Sequence, residues 1–290
     1  MQGDREPSPV SGKRIASHDM KVKLTPDKDI SVKKLKIGHV PTLVLKSAGD
    51  LGNDIGSETG ILWIHGGGYI AGMKEMVYMS RALDLVKKYG VTVFSPGYRL
   101  AWIHPFPAAF EDCYAVLEYM DTHRQEYGFS RIIVGGESAG GGLAAAICMA
   151  ARDRSVRVDY QLPLYPMISN LDTESSRDNH GKVWNTRRNH LGWRMYLRKD
   201  AKKTVSPYAS ALQQTDYRNL PPCYTFVGDG EPFYAETLQY VENLKNAGVE
   251  AEADVYHTNV HAFDMLWPED STSRKAVEAF NKYLEKVFRK

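Results

Sequence analysis

The stretch His65-Gly66-Gly67-Gly68-Tyr69, followed later in the chain by Gly136-Glu137-Ser138-Ala139-Gly140, decides the fold. Each stretch lies at the end of an apolar run. The first can supply backbone N–H groups to an oxyanion, because bare glycine backbone can approach a substrate closely. The second has the G-x-S-x-G pattern, which presents a serine on a sharp turn between a strand and a helix. In this order, the two stretches predict a serine hydrolase site.

The residues around these motifs alternate between strand and helix patterns. Short apolar runs predict strands at Ile61–His65, Val91–Phe94, Arg131–Gly136, Val158–Tyr165, Cys223–Val227 and Glu252–His257. Helical spacing predicts helices at Glu75–Tyr89, Pro107–Tyr127, Ala139–Arg152, Tyr234–Ala247 and Ser271–Phe288. The antiparallel edge is predicted at Lys21–Leu24, Val32–Ile37 and Thr42–Leu45. Because short strands alternate with longer helices, we expect an α/β protein whose central sheet is mostly parallel and has helices on both faces.

The 290 residues are within the range of one α/β domain, which we expect to span 21–290 after a polar segment at 1–20. Ser169–Ala209 interrupts the alternation, because it is long, polar and without a strand pattern. A helix is predicted within it at about Asn185–Asp200. Long insertions in compact domains are usually lids or functional loops, so we expect a small cap here. Its aromatic residues either face a ligand or pack on the sheet, and these are Trp184, Trp193 and Tyr196.

The overall charge is nearly balanced, with 37 Lys and Arg against 35 Asp and Glu. We therefore expect neither nucleic acid nor an anionic membrane as a partner. No apolar run approaches the length that spans a bilayer, and the first 20 residues lack the apolar core of a secretory signal. The three cysteines match neither a disulfide framework nor a zinc pattern, and they are Cys113, Cys148 and Cys223. These features favour a cytoplasmic protein without a metal, and they leave the oligomeric state open, a homodimer included.

Ser138 is the predicted nucleophile. A serine hydroxyl needs a base to take its proton and a third group to hold that base. Its small neighbours allow the sharp turn that exposes the serine oxygen. The N–H of Ala139 begins the following helix, and we expect it to stabilise an oxyanion together with those of Gly67 and Gly68. Glu137 is expected to support this region by hydrogen bonding, and Asp112 to brace it.

The base is predicted on a loop after the last strand, because parallel sheets carry their sites at the carboxyl ends of the strands. His261 meets this condition better than His257, which ends the strand itself. His65 is expected to order the glycine turn instead. The acid should follow the preceding strand, where Asp229 and Glu231 are both candidates. Spacing alone does not decide between them.

Five motifs follow one another between residues 65 and 263. They read His-Gly-Gly-Gly at 65–68, Tyr-Arg-Leu-Ala at 98–101 continuing as Pro-Phe-Pro-Ala-Ala-Phe-Glu-Asp at 105–112, Gly-Glu-Ser-Ala-Gly-Gly at 136–141, Glu-Pro-Phe at 231–233 and His-Ala-Phe at 261–263. In this order they resemble the motifs of the hormone-sensitive lipase-like family of α/β-hydrolase carboxylesterases, over most of the chain from about residue 35 onward. The resemblance implies the α/β-hydrolase fold and hydrolysis of short-chain, small-molecule carboxylic esters through an acyl-enzyme. It also implies that neither metal nor cofactor is needed.

The resemblance favours Glu231 as the acid, because the aspartate of the family precedes a proline and Glu231 precedes Pro232 here. Glutamate in place of aspartate is a departure, but its longer side chain can still reach an imidazole. A second departure puts Trp102-Ile103 where the family usually has Pro-Glu. Four aromatic residues are candidate walls of the substrate pocket or parts of the core, and they are Tyr69, Trp102, Trp193 and Phe233.

Three other functions stay open at this point. An amidase or formamidase could use the same site on activated amides. A polysaccharide deacetylase would be compatible with an incomplete cap that admits large substrates. A binding protein without catalysis is disfavoured, since relatives of this kind have lost the catalytic histidine and His261 is present.

Overall fold

The computed structural model describes residues 27–49, 54–198 and 204–290. Its eight strands are Ile30–Ile37 (β1), Val40–Ser47 (β2), Thr59–Ile64 (β3), Thr92–Pro96 (β4), Arg131–Glu137 (β5), Tyr160–Leu164 (β6), Cys223–Gly228 (β7) and Ala251–Tyr256 (β8). They form one sheet in the order β1-β2-β4-β3-β5-β6-β7-β8. β2 runs antiparallel to β1 and β4, and the other neighbours are parallel. The mostly parallel sheet and its antiparallel edge, predicted from the sequence, are confirmed.

Helices cover both faces of the sheet. They are Arg81–Tyr89 (α1), Ala108–Thr122 (α2), Arg124–Tyr127 (α3), Ala139–Asp153 (α4), Thr186–Leu197 (α5), Tyr234–Asn246 (α6), Phe263–Leu266 (α7) and Ser271–Phe288 (α8). Leu62 and Ile64 of β3 pack in one buried cluster with residues of α2 and α4. Ile61 and Trp63 pack in another with residues of α1 and α8. Because alternate residues of a strand point to opposite faces, β3 is buried on both sides.

Two predicted helices are divided in the structure. The helix expected at Glu75–Tyr89 is a 3-10 turn at Lys74–Met79 followed by α1. The division falls at Ser80, whose side chain accepts a hydrogen bond from the N–H of Ala82 and so caps α1. The helix expected at Pro107–Tyr127 is divided between α2 and α3 at His123. The predicted segment 1–20 and strand Lys21–Leu24 lie outside the described residues.

The insertion between β6 and β7 carries α5, which is shorter than the predicted helix. Asn185 caps its first turn by accepting a hydrogen bond from the N–H of Arg188. α5 ends at Leu197, and the end of the prediction at Asp200 lies outside the described residues. A methyl group added to Gly192 of α5 would come within 2.9 Å of the carbonyl oxygen of Gly68. The helix therefore lies directly on the loop after β3.

The three cysteines are buried and unbonded. Burial raises the pKa of each thiol well above its usual range. Within 27–49, 54–198 and 204–290, no group of three or more His, Cys, Asp and Glu side chains could hold a metal ion. In the same ranges, no helix combines the length and the apolar character that crossing a membrane requires.

Candidate active site

Ser138 occupies a strained turn between β5 and α4. Its φ of 57° and ψ of −120° are sparsely populated by residues other than glycine, and such backbone strain is concentrated at functional sites. A methyl group on Gly136 or Gly140 would overlap the carbonyl oxygen of Ile64, so only glycine lets the turn pack against β3. The positive end of the helix dipole of α4 lies next to the serine.

Three side chains from separate loops form a continuous hydrogen-bonded chain. Ser138 Oγ lies 2.9 Å from His261 Nε2, and His261 Nδ1 lies 2.6 Å from Glu231 Oε2. All three residues are buried, with Ser138 and His261 each 5% exposed. A carboxylate that accepts the Nδ1–H leaves Nε2 free to take the proton of the serine hydroxyl. The arrangement can therefore activate a serine nucleophile.

Glu231 is held on both carboxylate oxygens. The N–H of Gly228 donates to Oε1 at 2.8 Å, while His261 binds Oε2. Burial raises the pKa of Glu231, and the hydrogen bond and charge of His261 act in the opposite direction. A positive charge on His261 would therefore compensate the burial of this carboxylate, which favours the imidazolium that forms during catalysis.

The alternative acid and base pair with each other instead. Asp229 Oδ2 lies 2.8 Å from Nδ1 of His257, whose side chain is fully exposed. Asp229 Oδ1 accepts a hydrogen bond from the N–H of Thr258 at 3.2 Å. The structure thus brings Glu231, and not Asp229, to His261.

The loop after β3, here called the glycine loop (residues 65–72), lies next to the serine. A methyl group on Gly66 would be 3.2 Å from Cβ of Ser138. Gly67 and Gly68 have φ angles of +119° and +61°, and a methyl group on Gly67 would overlap the carbonyl oxygen of Ala71. Across the described part of the chain, the N–H groups of Gly67 and Gly68 donate to no other protein group. They are available, beside the first N–H of α4 at Ala139, to a ligand oxygen.

His65 holds the glycine loop in place, as the sequence predicts. Its ring is buried and stacks on Tyr98 with centroids 4.2 Å apart, and its Nδ1 is 2.8 Å from the carbonyl oxygen of Gly66. Burial lowers the pKa of His65 to about 4. The ring is therefore neutral near pH 7 and acts on the shape of the loop.

Buried ionisable groups lie close to His261, and the sequence predicted only Glu137 among them. The indole N–H of Trp63 donates to Glu137 at 2.8 Å, and burial raises the pKa of Glu137 to about 8. Asp264 accepts a hydrogen bond from the Tyr165 hydroxyl at 2.9 Å and lies 3.1 Å from Nε of Arg81. The Tyr165 ring in turn packs edge-on against His261 at 5.2 Å. The sequence signal that could have indicated Asp264 is its position directly after the His-Ala-Phe motif at 261–263.

Asp112 braces the segment after β4. It accepts hydrogen bonds from the backbone N–H of Arg99 at 2.8 Å and from the guanidinium of the same residue. His39 Nε2 lies 2.7 Å from Oδ1 of Asp112, which also accepts from the Arg99 guanidinium. Asp112 is buried, so these contacts fix a carboxylate that would otherwise be costly to bury.

Of the four predicted pocket aromatics, the structure places only Phe233 against the hydrogen-bonded chain, edge-on to His261 at 5.0 Å. Tyr69 and Trp193 are buried and pack on each other at 5.4 Å, so they belong to the core. Trp102 lies at the surface and is 51% exposed, and its carbonyl oxygen accepts a hydrogen bond from Arg198. Of the two alternatives that the sequence left open, the burial of Tyr69 and Trp193 favours the core, and a role of Trp102 in the pocket stays a prediction.

Trp184 is the aromatic residue of the insertion that reaches the site. A methyl group on Gly68 would overlap the six-membered ring of its indole. The ring centroid lies 6.5 Å from those of His261 and Phe233. The sequence left Trp184 undecided between facing a ligand and packing, because no periodicity indicates its direction.

The chain is similar to known α/β hydrolases and esterases. A family model described as α/β-hydrolase fold matches residues 61–265. A putative α/β hydrolase of Acanthamoeba polyphaga mimivirus is 28% identical over 214 residues, covering 72% of this chain and 62% of that protein. An arylesterase of Saccharolobus solfataricus is 30% identical over 236 residues, covering 79% and 75%. The chain thus spans about two thirds of the length of these two relatives. Among solved structures, a bacterial heroin esterase has a TM-score of 0.80 at 29% identity, covering 90% of this chain and 84% of that one.

Proposed function

We propose that this chain, which belongs to the hormone-sensitive lipase-like family of α/β-hydrolase carboxylesterases, hydrolyses short-chain carboxylic esters through an acyl-enzyme intermediate. The family and the enzyme class expected from the sequence, a carboxylic ester hydrolase, are confirmed by the matched family and its esterase members. The observation that supports the finer proposal is the buried chain of hydrogen bonds from Ser138 through His261 to Glu231.

In the proposed first step, His261 Nε2 takes the proton of Ser138 while the serine oxygen attacks the ester carbonyl carbon. Glu231 holds His261 through Nδ1 and stabilises its charged form. The carbonyl oxygen becomes an oxyanion that accepts hydrogen bonds from the N–H groups of Gly67, Gly68 and Ala139. Loss of one such donor typically costs about 2.7–4 kcal/mol of barrier.

In the second step, His261 gives its proton to the leaving alcohol, and the acyl group stays bonded to Ser138 Oγ. Water then takes the place of the serine. His261 removes its proton, the acid is released, and the serine recovers its hydrogen. Both halves of the reaction use the same donors, so one preorganised site serves both oxyanions.

The remaining proposals concern the substrate and the frame around the site. Small-molecule esters are the proposed substrates, and residues 169–209 are proposed as the cap within a domain spanning 21–290. The balanced charge supports the absence of nucleic acid from the function. The cytoplasmic setting and the homodimer stay predictions from the sequence.

The test is hydrolysis of p-nitrophenyl esters from acetate to dodecanoate by the wild-type protein and by Ser138→Ala. We expect rapid cleavage of the shorter esters and its loss in the variant. Ser57→Ala is the matched control, since Ser57 is exposed and lies outside the site. A p-nitrophenyl phosphonate should bond to the serine oxygen with release of p-nitrophenol, so the mass of the phosphonyl group is added to the wild type and to Ser57→Ala, but not to Ser138→Ala.

Two results would contradict the proposal. One is a folded wild-type protein that cleaves none of the esters, which would direct attention to activated amides. The other is turnover by Ser138→Ala at the wild-type rate, which would remove Ser138 as the nucleophile.

A further inference from the structure

Trp184 lies near both of the groups that an ester carbonyl in this site would contact, the glycine loop and His261. Its six-membered ring lies so close to Gly68 that no side chain at position 68 could fit. Its ring centroid is 6.5 Å from that of His261. A carbonyl carbon bonded to Ser138 must lie between these two residues, because Gly68 supplies an oxyanion donor and His261 the proton. The indole therefore bounds the space around the reacting carbon.

Hydrogen bonds hold the segment that carries Trp184. The Asn179 side-chain amide donates to the carbonyl oxygen of Gly230 at 3.1 Å. The Ser175 hydroxyl donates to the carbonyl oxygen of Pro232 at 2.8 Å. These bonds tie the insertion to the loop on which Glu231 lies. Gly192 of α5 also lies against the indole, because a methyl group built on Gly192 would be 3.6 Å from Cζ2 of Trp184.

The leaving alcohol and the acyl group point in different directions from the reacting carbon. The leaving alcohol must lie beside His261 Nε2, which gives it a proton. The indole carbons that would overlap a methyl group on Gly68 lie beside the oxyanion donors, whereas the indole centroid is 6.5 Å from that of His261. The indole is therefore nearer to the glycine loop than to the group that protonates the alcohol.

We propose that Trp184 sets the acyl-chain limit of this esterase, by filling the space beside Gly68 into which a longer acyl chain would extend. The inference rests on the proposed function and assigns its preference for short acyl groups to one side chain. The alcohol side, beside His261 Nε2, is left tolerant. Trp184 is a specificity-determining residue in this scheme and takes no part in proton transfer.

The experiment measures kcat/KM for two ester series with the wild type, Trp184→Ala and Trp184→Phe. One series varies the acyl group from acetyl to octanoyl on p-nitrophenol. The other keeps the acetyl group and varies the alcohol. Leu171→Ala is the control, because Leu171 belongs to the same insertion and is 62% exposed.

We expect Trp184→Ala to raise the ratio of octanoate to acetate kcat/KM by about tenfold or more, since hydrophobic sites discriminate a single methylene by about 10- to 200-fold. Trp184→Phe should give a smaller rise, and Leu171→Ala none. The alcohol series should keep its wild-type profile in all variants. Thermal unfolding is measured in parallel, and Trp184→Phe decides the question where Trp184→Ala does not fold.

An unchanged acyl profile in a folded variant that still cleaves acetate overturns the inference and leaves the proposed function intact. A change confined to the alcohol series also overturns it, because Trp184 would then limit the leaving group. No ester turnover by the folded wild type overturns the proposed function first, and the inference with it.

Discussion

Replacing Glu231 by glutamine tests whether the buried carboxylate controls His261. The two carboxylate oxygens each accept one hydrogen bond, from the N–H of Gly228 at 2.8 Å and from His261 Nδ1 at 2.6 Å. Glutamine offers one oxygen and one NH2 group in the same shape. Whichever way the amide turns, its NH2 group faces one of these two donors.

The size of the effect follows from this mismatch. If the amide oxygen stays with Gly228, the NH2 group faces His261 Nδ1 and forces the tautomer that carries its hydrogen on Nε2. That nitrogen can then no longer take the proton of Ser138. The corresponding change in a serine protease lowers kcat about 10⁴-fold, and at about 1.36 kcal/mol per factor of ten this is about 5.4 kcal/mol of barrier. We expect a loss of similar size here.

The assay is kcat/KM for p-nitrophenyl acetate at pH 7, with thermal unfolding to show that each variant is folded. Asp229→Asn is the matched control, because Asp229 has the same kind of contact with the exposed His257. It should keep the wild-type rate. Glu231→Asp retains two acceptor oxygens on a shorter side chain and should fall between the wild type and Glu231→Gln.

Either of two results would refute this reasoning. Glu231→Gln could keep more than about a tenth of the wild-type activity, which corresponds to less than about 1.4 kcal/mol of barrier. Alternatively, Asp229→Asn could lose as much activity as Glu231→Gln, and the choice of acid between Asp229 and Glu231 would then be open again.

The remaining predictions concern backbone fit, pH and a buried ion pair. Gly67→Ala should lower kcat/KM by about 10²-fold or more, as loss of an oxyanion donor does, whereas Gly38→Ala, which also has a positive φ but no atom within 4 Å, should leave the rate unchanged. Since the pKa of Glu137 rises from 4.5 to about 8 on folding, the native state holds a proton that the unfolded state has lost. The free energy of unfolding of the wild type should therefore fall by about 1.4 kcal/mol per pH unit as the pH rises between those two values. Glutamine does not titrate, so Glu137→Gln should be more stable to urea than the wild type by a margin that widens up to about pH 8 and then levels off. Arg81→Met removes the positive partner of the buried Asp264 and should cost about 3–5 kcal/mol in urea unfolding, whereas Arg218→Met, in an exposed pair, should cost far less. A constant Glu137→Gln advantage, or equal losses for the two arginines, would contradict these arguments.

Local sequence patterns were enough to predict most strands of the sheet and to select two residues of the site, Ser138 and His261. Apolar runs that end in glycine or polar residues located the strands, because a strand buried on both faces must be apolar throughout. The G-x-S-x-G turn located Ser138, since its geometry needs small neighbours at fixed positions. The choice of His261 rested on its place after the last strand, and the structure puts it within hydrogen-bonding distance of Ser138.

The acid could not be chosen from spacing, because the loop after β7 turns sharply within three residues. The bond from the N–H of Gly228 draws Glu231 back toward the sheet, while Asp229 points to solvent and meets His257. Only the resemblance to related motifs favoured Glu231 beforehand. Side-chain direction in such a loop depends on contacts that are absent from the local sequence.

The tryptophans of the insertion show the same limit. Trp193 lies on the face of α5 that packs against Tyr69, so it is in the core. Trp184 precedes that helix and turns toward Gly68, a residue from a distant part of the chain. Nothing near either tryptophan in the sequence distinguishes these two outcomes.

The ion pair between Arg81 and Asp264 has a consequence for synthesis of the chain. It ties the segment that follows His261 to α1, which leaves the ribosome far earlier. Domains generally fold as units as the chain emerges, starting from the N-terminus. The strained serine turn is therefore translated long before its base, and the chain of hydrogen bonds from Ser138 to Glu231 can form only after residues 261–264 have left the ribosome.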